Sequence, residues 1–198
     1  MANASAILDS LEAETWRDLY RCRYDREHRE AILPILAKLL GDPDVEIHQR
    51  ALRAVGRIGA CDTIGALSTL VPLVCAYTRD ANPLTRGIAI GVLYGIGRDN
   101  PDAAVPALVN ASSDTALLDT SLLALISMGT RAQDAIPCFQ RFTSHPKGKV
   151  RRLALRGLGS TNASDANSLS IISAAIRDRN QEVRKMAQKV LSRIETQA

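Results

Sequence analysis

The residues of this chain that could carry chemistry are few and far apart. Its histidines, His28, His48 and His145, are isolated, and none is followed by a glutamate as in a paired His-Glu di-iron site. No G-x-x-x-x-G-K-S/T phosphate loop and no G-x-S-x-G nucleophile turn occurs, and no cysteine and histidine have the spacing of a catalytic pair. We therefore predict no catalytic residue, no metal site and no cofactor.

One cluster of glycines has the composition of a phosphate-binding loop. It consists of Gly87, Gly91, Gly95 and Gly97. These positions fall on a predicted helix and its end, and we expect close packing to explain them better than a phosphate ligand.

The cysteines favour structural thiols. They are Cys22, Cys61, Cys75 and Cys138. No two have C-x-x-C spacing, and two lie in apolar helical stretches, so we expect reduced core thiols and not metal ligands or disulfide partners.

Composition is typical of a soluble helical protein. Apolar residues make up 46% of the 198, but only 4% are aromatic, and the formal net charge is +4. No run of about 18 apolar residues exists, and the first residues lack the basic start and apolar stretch of a signal peptide. We expect a cytoplasmic protein with no membrane partner.

The elements that must position any binding residue come from a phrase that recurs five times. Its copies begin at Ile47, Thr85, Leu117, Val150 and Val183. A repeat of about 35 residues indicates stacked helical units. Within each copy, apolar residues at i, i+3, i+4 and i+7 predict one buried helical stripe.

A second apolar helical pattern precedes each copy, and the two together predict a helical hairpin. Four of the five leading helices carry a proline, which we expect either to open the helix or to bend it slightly. A small residue in the middle of each trailing helix allows close helix approach. These residues are Ala51, Ala89, Ser121, Ala154 and Ala187.

Glycines are predicted to end four of the trailing helices. They are Gly59, Gly97, Gly129 and Gly159.

The repeated phrase resembles the HEAT repeat, in particular the short HEAT-like type of phycobilisome lyases, whose trailing helix reads D-x-x-x-x-V-R-x-x-A-x-x-x-L-G. The resemblance covers residues 31–195. Its best copies are Val150-Arg151 with Ala154 and Leu158-Gly159, and Val183-Arg184 with Ala187 and Leu191. It implies an all-α fold, a right-handed α-solenoid of about five HEAT-like hairpins with an N-terminal cap helix. The expected parts are the cap, 1–30, and the array, 31–198, with hairpins at 31–60, 64–98, 102–130, 133–160 and 166–198.

The predicted cap helix is dense in charges of both signs, as terminal repeats require. Trp16, Tyr20 and Tyr24 are four residues apart and form one aromatic stripe. We expect this stripe to pack on Ile32 and Leu36, and the alternative is a partner-binding stripe framed by arginines.

In HEAT-like proteins an aspartate between the helices and the arginine six residues later commonly form a ladder between repeats. We interpret the matching residues as partly buried ion pairs that set the register of the repeats. The matches are Asp80 with Arg86 and Asp178 with Arg184; the other repeats have Asp42 with His48, Ser112 with Leu118, and His145 with Arg151.

The resemblance also implies that trailing helices line the concave side of the array. Their outward positions are basic in the first, fourth and fifth repeats and apolar or weakly polar between. The predicted partner-binding residues are Arg53, Arg57, Ile88, Tyr94, Leu123, Arg152, Arg156, Lys189 and Arg193. Such a groove suits an acidic, partly apolar protein segment, and we predict a non-catalytic protein-binding scaffold or adaptor. The alternative is a solvated basic face with no dedicated ligand.

Two other functions stay open. Aligned arginines could bind the phosphates of a nucleic acid, although the net charge is modest, no aromatic side chain is interleaved to stack bases, and the groove lacks the tryptophan of HEAT-like DNA glycosylases. The resemblance to phycobilisome lyases implies a bilin lyase or chromophore-handling subunit, with arginines pairing bilin propionates.

Overall fold

The computed structural model describes residues 26–61 and 66–197, and in them the chain consists of helices joined by short turns and contains no strand. The α-helices are α1 (Arg26–Leu40), α2 (Val45–Cys61), α3 (Val71–Ala76), α4 (Pro83–Ile96), α5 (Pro101–Ala111), α6 (Leu118–Ser127), α7 (Ile136–Phe142), α8 (Gly148–Ser160), α9 (Ala166–Ala175) and α10 (Gln181–Gln197). Short 3-10 segments lie at Ala66–Thr69, Tyr77–Arg79, Gly97–Asp99 and Gly129–Ala135. The all-α class predicted from the repeats is confirmed.

The chain divides into two compact units, Met1–Ala104 and Val105–Ala198. In unit 1 the leading helices α1 and α3 pack together, the trailing helices α2 and α4 pack together, and each leading helix packs on its own trailing helix. In unit 2, α8 packs against α6, α7 and α10, and α9 packs on α10. Each unit is therefore built from helical hairpins whose trailing helices lie side by side.

The small residues predicted in the middle of the trailing helices are completely buried. Ala51, Ala89, Ser121, Ala154 and Ala187 are all 0% exposed. Large side chains one turn away, such as Val55 in α2 and Leu93 in α4, are equally buried. The apolar stripe of the repeat is thus the core, and the arc opposite to it faces solvent.

The prolines of the leading helices occupy both predicted positions. Pro72 and Pro137 lie in the first turns of α3 and α7, where the missing N–H had no helical partner. Pro34 and Pro106 lie inside α1 and α5.

Two of the four predicted helix-ending glycines have that role. Gly97 is the C-cap of α4, and its N–H donates to the carbonyl of Leu93. Gly129 follows α6 with φ +60°, a conformation that glycine adopts without strain.

The other two glycines were assigned the wrong role. Gly59 and Gly159 lie inside α2 and α8, where a Cβ would collide with the next trailing helix. At Gly159 it would come within 2.8 Å of Val190 Cγ2, and at Gly59 it would overlap Ile96. Helix α8 instead runs to Ser160 and is followed by Asn162 at φ 55°. These two glycines set the spacing between trailing helices.

The cap prediction lies mostly outside the described residues. Residues 26–30 form the start of α1. Trp16, Tyr20 and Tyr24 are outside the described ranges, so both interpretations of the aromatic stripe stay predictions.

Candidate functional site

Trailing helices begin at a repeated turn that fixes their direction. Asp80 Oδ1 accepts from the N–H of Asn82 at 2.7 Å, and Asn82 Oδ1 accepts from the N–H of Leu84 at 2.9 Å, which caps α4. Asp178 and Asn180 make the same two bonds before α10, at 2.7 and 2.9 Å. The local sequence Asp-x-Asn therefore sets the start of each of these helices.

The arginine six residues after each of these aspartates closes the turn. Arg86 Nη1 donates to the carbonyl of Asp80 at 2.9 Å, and Arg184 Nη1 donates to the carbonyl of Asp178 at 2.8 Å. The bond predicted to be an ion pair with the preceding aspartate is thus a bond to its backbone. Carbonyls of this turn have no helical partner, and the partly buried guanidinium groups satisfy them.

The described ion pair of the ladder joins successive repeats. Arg151 of α8 donates from Nε to Asp178 Oδ2 at 2.8 Å and from Nη2 to Oδ1 at 2.7 Å, a bidentate pair. Its Nη1 also donates to the carbonyls of His145 and Pro146, at 2.9 and 3.0 Å. The two side chains are only 8% and 14% exposed. The hydrogen bonds from Arg151 hold the pKa of Asp178 below its usual range.

His48 occupies the arginine position in the first repeat. Its Nδ1 lies 3.3 Å from the carbonyl of Asp42, and its ring lies 4.9 Å from that of Tyr77. The Tyr77 hydroxyl donates to the carbonyl of Leu40. His48 Nε2 is buried and has no hydrogen-bond partner among the residues that the structure describes.

The candidate site consists of two surfaces, which we call the unit-1 face and the unit-2 face. The unit-1 face is the solvent side of α2 and α4. On α2 it carries Arg53 and Arg57, which are both exposed. On α4 it carries Ile88, which is partly buried, and Tyr94, which is 55% exposed. The structure brings these four predicted residues onto adjacent helices.

Gly91 and Gly95 lie on the same face of α4, and the packing role predicted for them is wrong. Apart from the backbone of α4 and the neighbouring residues, a Cβ built on either glycine would meet no described atom within 4 Å. An exposed glycine inside a helix is destabilising by roughly 0.5–1 kcal/mol relative to alanine, because it gives up more chain entropy on folding. Helix packing in unit 1 thus offers no reason for these two glycines.

The unit-2 face is the solvent side of α6, α8 and α10. Its predicted residues are Leu123 on α6, Arg152 and Arg156 on α8, and Lys189 and Arg193 on α10. Arg156, Lys189 and Arg193 are exposed, whereas Leu123 and Arg152 are partly buried. The neighbouring helices α8 and α10 therefore carry a basic surface.

Two features of these faces were missed by the sequence analysis. Leu84 at the start of α4 is 57% exposed and lies one turn before Ile88, so its helical phase could have revealed it. Lys149 of α8 pairs with Asp119 of α6 at 2.6 Å. That pair is exposed, and its spacing across two repeats left no local signal in the sequence.

The thiols are poor nucleophiles where the structure describes them. Cys75 and Cys138 are free, Cys138 is buried, and burial raises the pKa of Cys75 to about 11. The side chains of Cys22 and Cys61 are outside the part of the chain that the structure describes. Among the described residues no three His, Cys, Asp or Glu side chains come together as metal ligands. Nor does any helix in the described ranges combine the length and apolarity needed to cross a bilayer.

Comparisons with known proteins agree with this architecture. Residues 137–198 match the family model described as HEAT repeats. No curated protein matched the chain. The archaeal HEAT-like repeats protein from Thermococcus onnurineus NA1 superposes with a TM-score of 0.67 at 14% identity, over 99% of this chain and 82% of that one.

Two further structures share the fold. A designed armadillo repeat protein in complex with the peptide (KR)4 has a TM-score of 0.68 at 15% identity, over 94% of this chain and 93% of that one. The complex of CpcE and CpcF of phycocyanin lyase from Nostoc sp. PCC7120 has a TM-score of 0.52 at 19% identity, over 96% of this chain and 76% of that one. These likenesses show that the chain has the α-solenoid fold of HEAT and armadillo repeat proteins.

Proposed function

We propose that the protein is a non-catalytic scaffold that binds an acidic, partly apolar segment of another protein through its trailing-helix faces. The unit-1 face and the unit-2 face each combine basic and apolar side chains on neighbouring helices. Such a surface favours a peptide ligand whose carboxylates pair with the rim and whose apolar side chains contact the helices.

One observation carries the proposal. The seventh residue of the repeated phrase is the outward position of every trailing helix, exposed in four copies and partly buried in the copy of α6. The five residues at that position are Arg53, Gly91, Leu123, Arg156 and Lys189. The same structural position is therefore basic in three repeats and uncharged in two, whereas the fifth position of the phrase is buried and small in every copy.

The charge of the ligand follows from the charge of the faces. The designed armadillo neighbour is in complex with the basic peptide (KR)4. Here the predicted contact residues Arg53 on α2, Arg156 on α8 and Lys189 on α10 are exposed cations, so we expect these faces to select a peptide of opposite sign. A cationic peptide would be repelled by like charge.

The test is capture of partners from a lysate of the source cells, with and without nuclease. Wild type is compared with Arg53→Glu/Arg156→Glu, which reverses one cation on each face. The matched control is Lys38→Glu/Arg177→Glu, because Lys38 and Arg177 are exposed but lie on α1 and after α9, and neither is on a trailing helix. Both variants change the net charge by the same amount.

We expect a nuclease-resistant protein that is lost in the first variant and retained in the control. Equal recovery in all three would contradict the assignment of the faces. If the captured material were nuclease-sensitive, binding to the phosphates of a nucleic acid would replace the proposal. The likeness to the CpcE–CpcF complex is one of fold, and we propose no bilin activity from it.

A further inference from the structure

We propose that the unit-1 face is a helix-docking seat: the exposed arc of α4 takes one amphipathic helix of a partner protein, with acidic residues along the flank next to α2. This inference rests on the proposed function and names the conformation and polarity of the partner. Its evidence is the exposure of large apolar side chains, the shape of the surface and the position of the cations.

The seat has large apolar side chains that packing in unit 1 leaves exposed to solvent. Leu84 and Tyr94 are 57% and 55% exposed, the two highest values among the described large apolar residues. Together with Ile88 they lie on one arc of α4, because residues 4, 6 and 10 apart fall within about 120° around a helix. Ala89 and Leu93, on the opposite arc, are completely buried.

The seat is a notch with the backbone of α4 as its floor. Gly91 and Gly95 are one turn apart in the centre of the exposed arc, and nothing lies within 4 Å of the position of a Cβ on either. Tyr94 lies on the side of the arc that faces away from α2. A surface without side chains lets a second helix approach closely, whereas an extended peptide would gain nothing from a floor two glycines long.

The cations form the other wall of the notch. Helix α2 lies on the side of α4 that carries Thr85 and Val92, since Gln49 Nε2 donates to Thr85 Oγ1 at 2.8 Å and Gly56 lies against Val92. Arg53 and Arg57 hold the same repeat positions as Gly91 and Gly95 and are exposed. Because neighbouring helices lie about 8–10 Å apart, both arginines can reach carboxylates on one flank of a seated helix.

The length of the seat gives the size of its occupant. Leu84 and Gly95 are 11 residues apart, or about 16 Å along the helix axis. A partner helix of about three turns would cover this distance, with apolar residues at i, i+3 or i+4, and i+7 and with glutamate or aspartate on one side. No occupant with a basic flank fits, because it would face Arg53 and Arg57.

The experiment is a selection from a phage-displayed library of random 20-residue peptides on the full-length wild-type chain. Clones that also bind Gly91→Leu/Gly95→Leu are removed, and enriched peptides are synthesised and measured by fluorescence anisotropy. Leucine fills the notch without meeting another described atom at its Cβ, and circular dichroism checks that the variant stays helical. The matched control, Ala76→Leu/Ala81→Leu, adds the same side chains at two exposed positions of unit 1.

We expect enriched peptides with apolar residues at helical spacing and acidic residues on one flank. Their Kd should rise at least about tenfold with Gly91→Leu/Gly95→Leu and about threefold or more with Arg53→Gln/Arg57→Gln, and should change less than about twofold in the control. Enriched peptides without helical spacing, equal binding to the leucine variant, or no enrichment would each overturn the seat. If only the seat is wrong, Arg53→Glu/Arg156→Glu should still lose the cellular partner. If the proposed function is wrong, that variant should retain the partner, so the two failures can be distinguished.

Discussion

Arg151 and Asp178 connect the fourth repeat to the fifth, and a double-mutant cycle on this pair tests how the unit-2 face is held. The guanidinium makes four hydrogen bonds, two to the carboxylate and two to the carbonyls of His145 and Pro146. With the side chains 8% and 14% exposed, water cannot easily replace either partner. Removing one member of a buried pair costs about 3–5 kcal/mol, so we expect a loss in this range for Arg151→Ala.

The cycle separates the pair from the other bonds of each residue. Asp178→Ala also removes the bond to the N–H of Asn180, but that loss occurs in both backgrounds and cancels. We expect a coupling energy of about 1.5–3 kcal/mol from urea unfolding at pH 7. The matched control is Glu182 with Lys185, whose side chains are 59% and 61% exposed, and its coupling should be about 0.2–0.5 kcal/mol.

The same pair has a pH signature. Because the pKa of Asp178 is lowered in the folded protein, its contribution is present above the unfolded pKa of about 3.9 and is lost as the pH falls through the lower folded value. The difference in unfolding free energy between wild type and Asp178→Asn should therefore be constant from pH 5 to 7 and shrink below about pH 4. A coupling no larger than that of the control pair, or a difference that grows in acid, would refute the reasoning.

Three further outcomes follow from the packing. Leu158→Ala, at a 0% exposed position, should lower the unfolding free energy by about 2–5 kcal/mol, and less than about 1 kcal/mol in urea melts would contradict the register of the fourth repeat. Gly91→Ala should stabilise the protein by about 0.5–1 kcal/mol, whereas Gly157→Ala, whose Cβ would overlap the Phe139 ring, should destabilise it by about 1–3 kcal/mol; equal effects in thermal melts would contradict the assigned environments. In a variant that keeps Cys75 alone, iodoacetamide at pH 8 should react much more slowly with folded than with urea-unfolded protein, because burial raises the thiol pKa to about 11; equal rates would show that the thiol is accessible.

The buried half of this fold is predictable from sequence because it obeys a period. Ala51, Ala89 and Ala154 recur at the same phase of the repeated phrase, and all are completely buried. Helical phase also placed Arg53 and Arg156 on the solvent side of their helices. The helical phase of a residue can be determined from the sequence of its own helix alone.

Features that depend on a neighbouring helix were not predictable in this way. Gly59 and Gly91 both lie on trailing helices, yet one is in contact with the next helix and the other faces open space. Likewise, the spacing of Asp178 and Arg184 suggested a local ion pair, whereas the carboxylate bonds Arg151 of the preceding repeat. Which partner a side chain meets depends on the distance between helices, and composition of a single repeat does not determine that distance.

The central claim is that cations on the trailing-helix faces bind an acidic protein segment. Its most direct test is the affinity of the nuclease-resistant partner, once captured, for wild type, Arg53→Glu/Arg156→Glu and Lys38→Glu/Arg177→Glu at low and physiological salt. The account predicts a Kd at least about tenfold higher for the first variant, a change below about twofold for the second, and weaker wild-type binding as salt increases. Equal affinity for all three proteins, or the same loss in both variants, would contradict it.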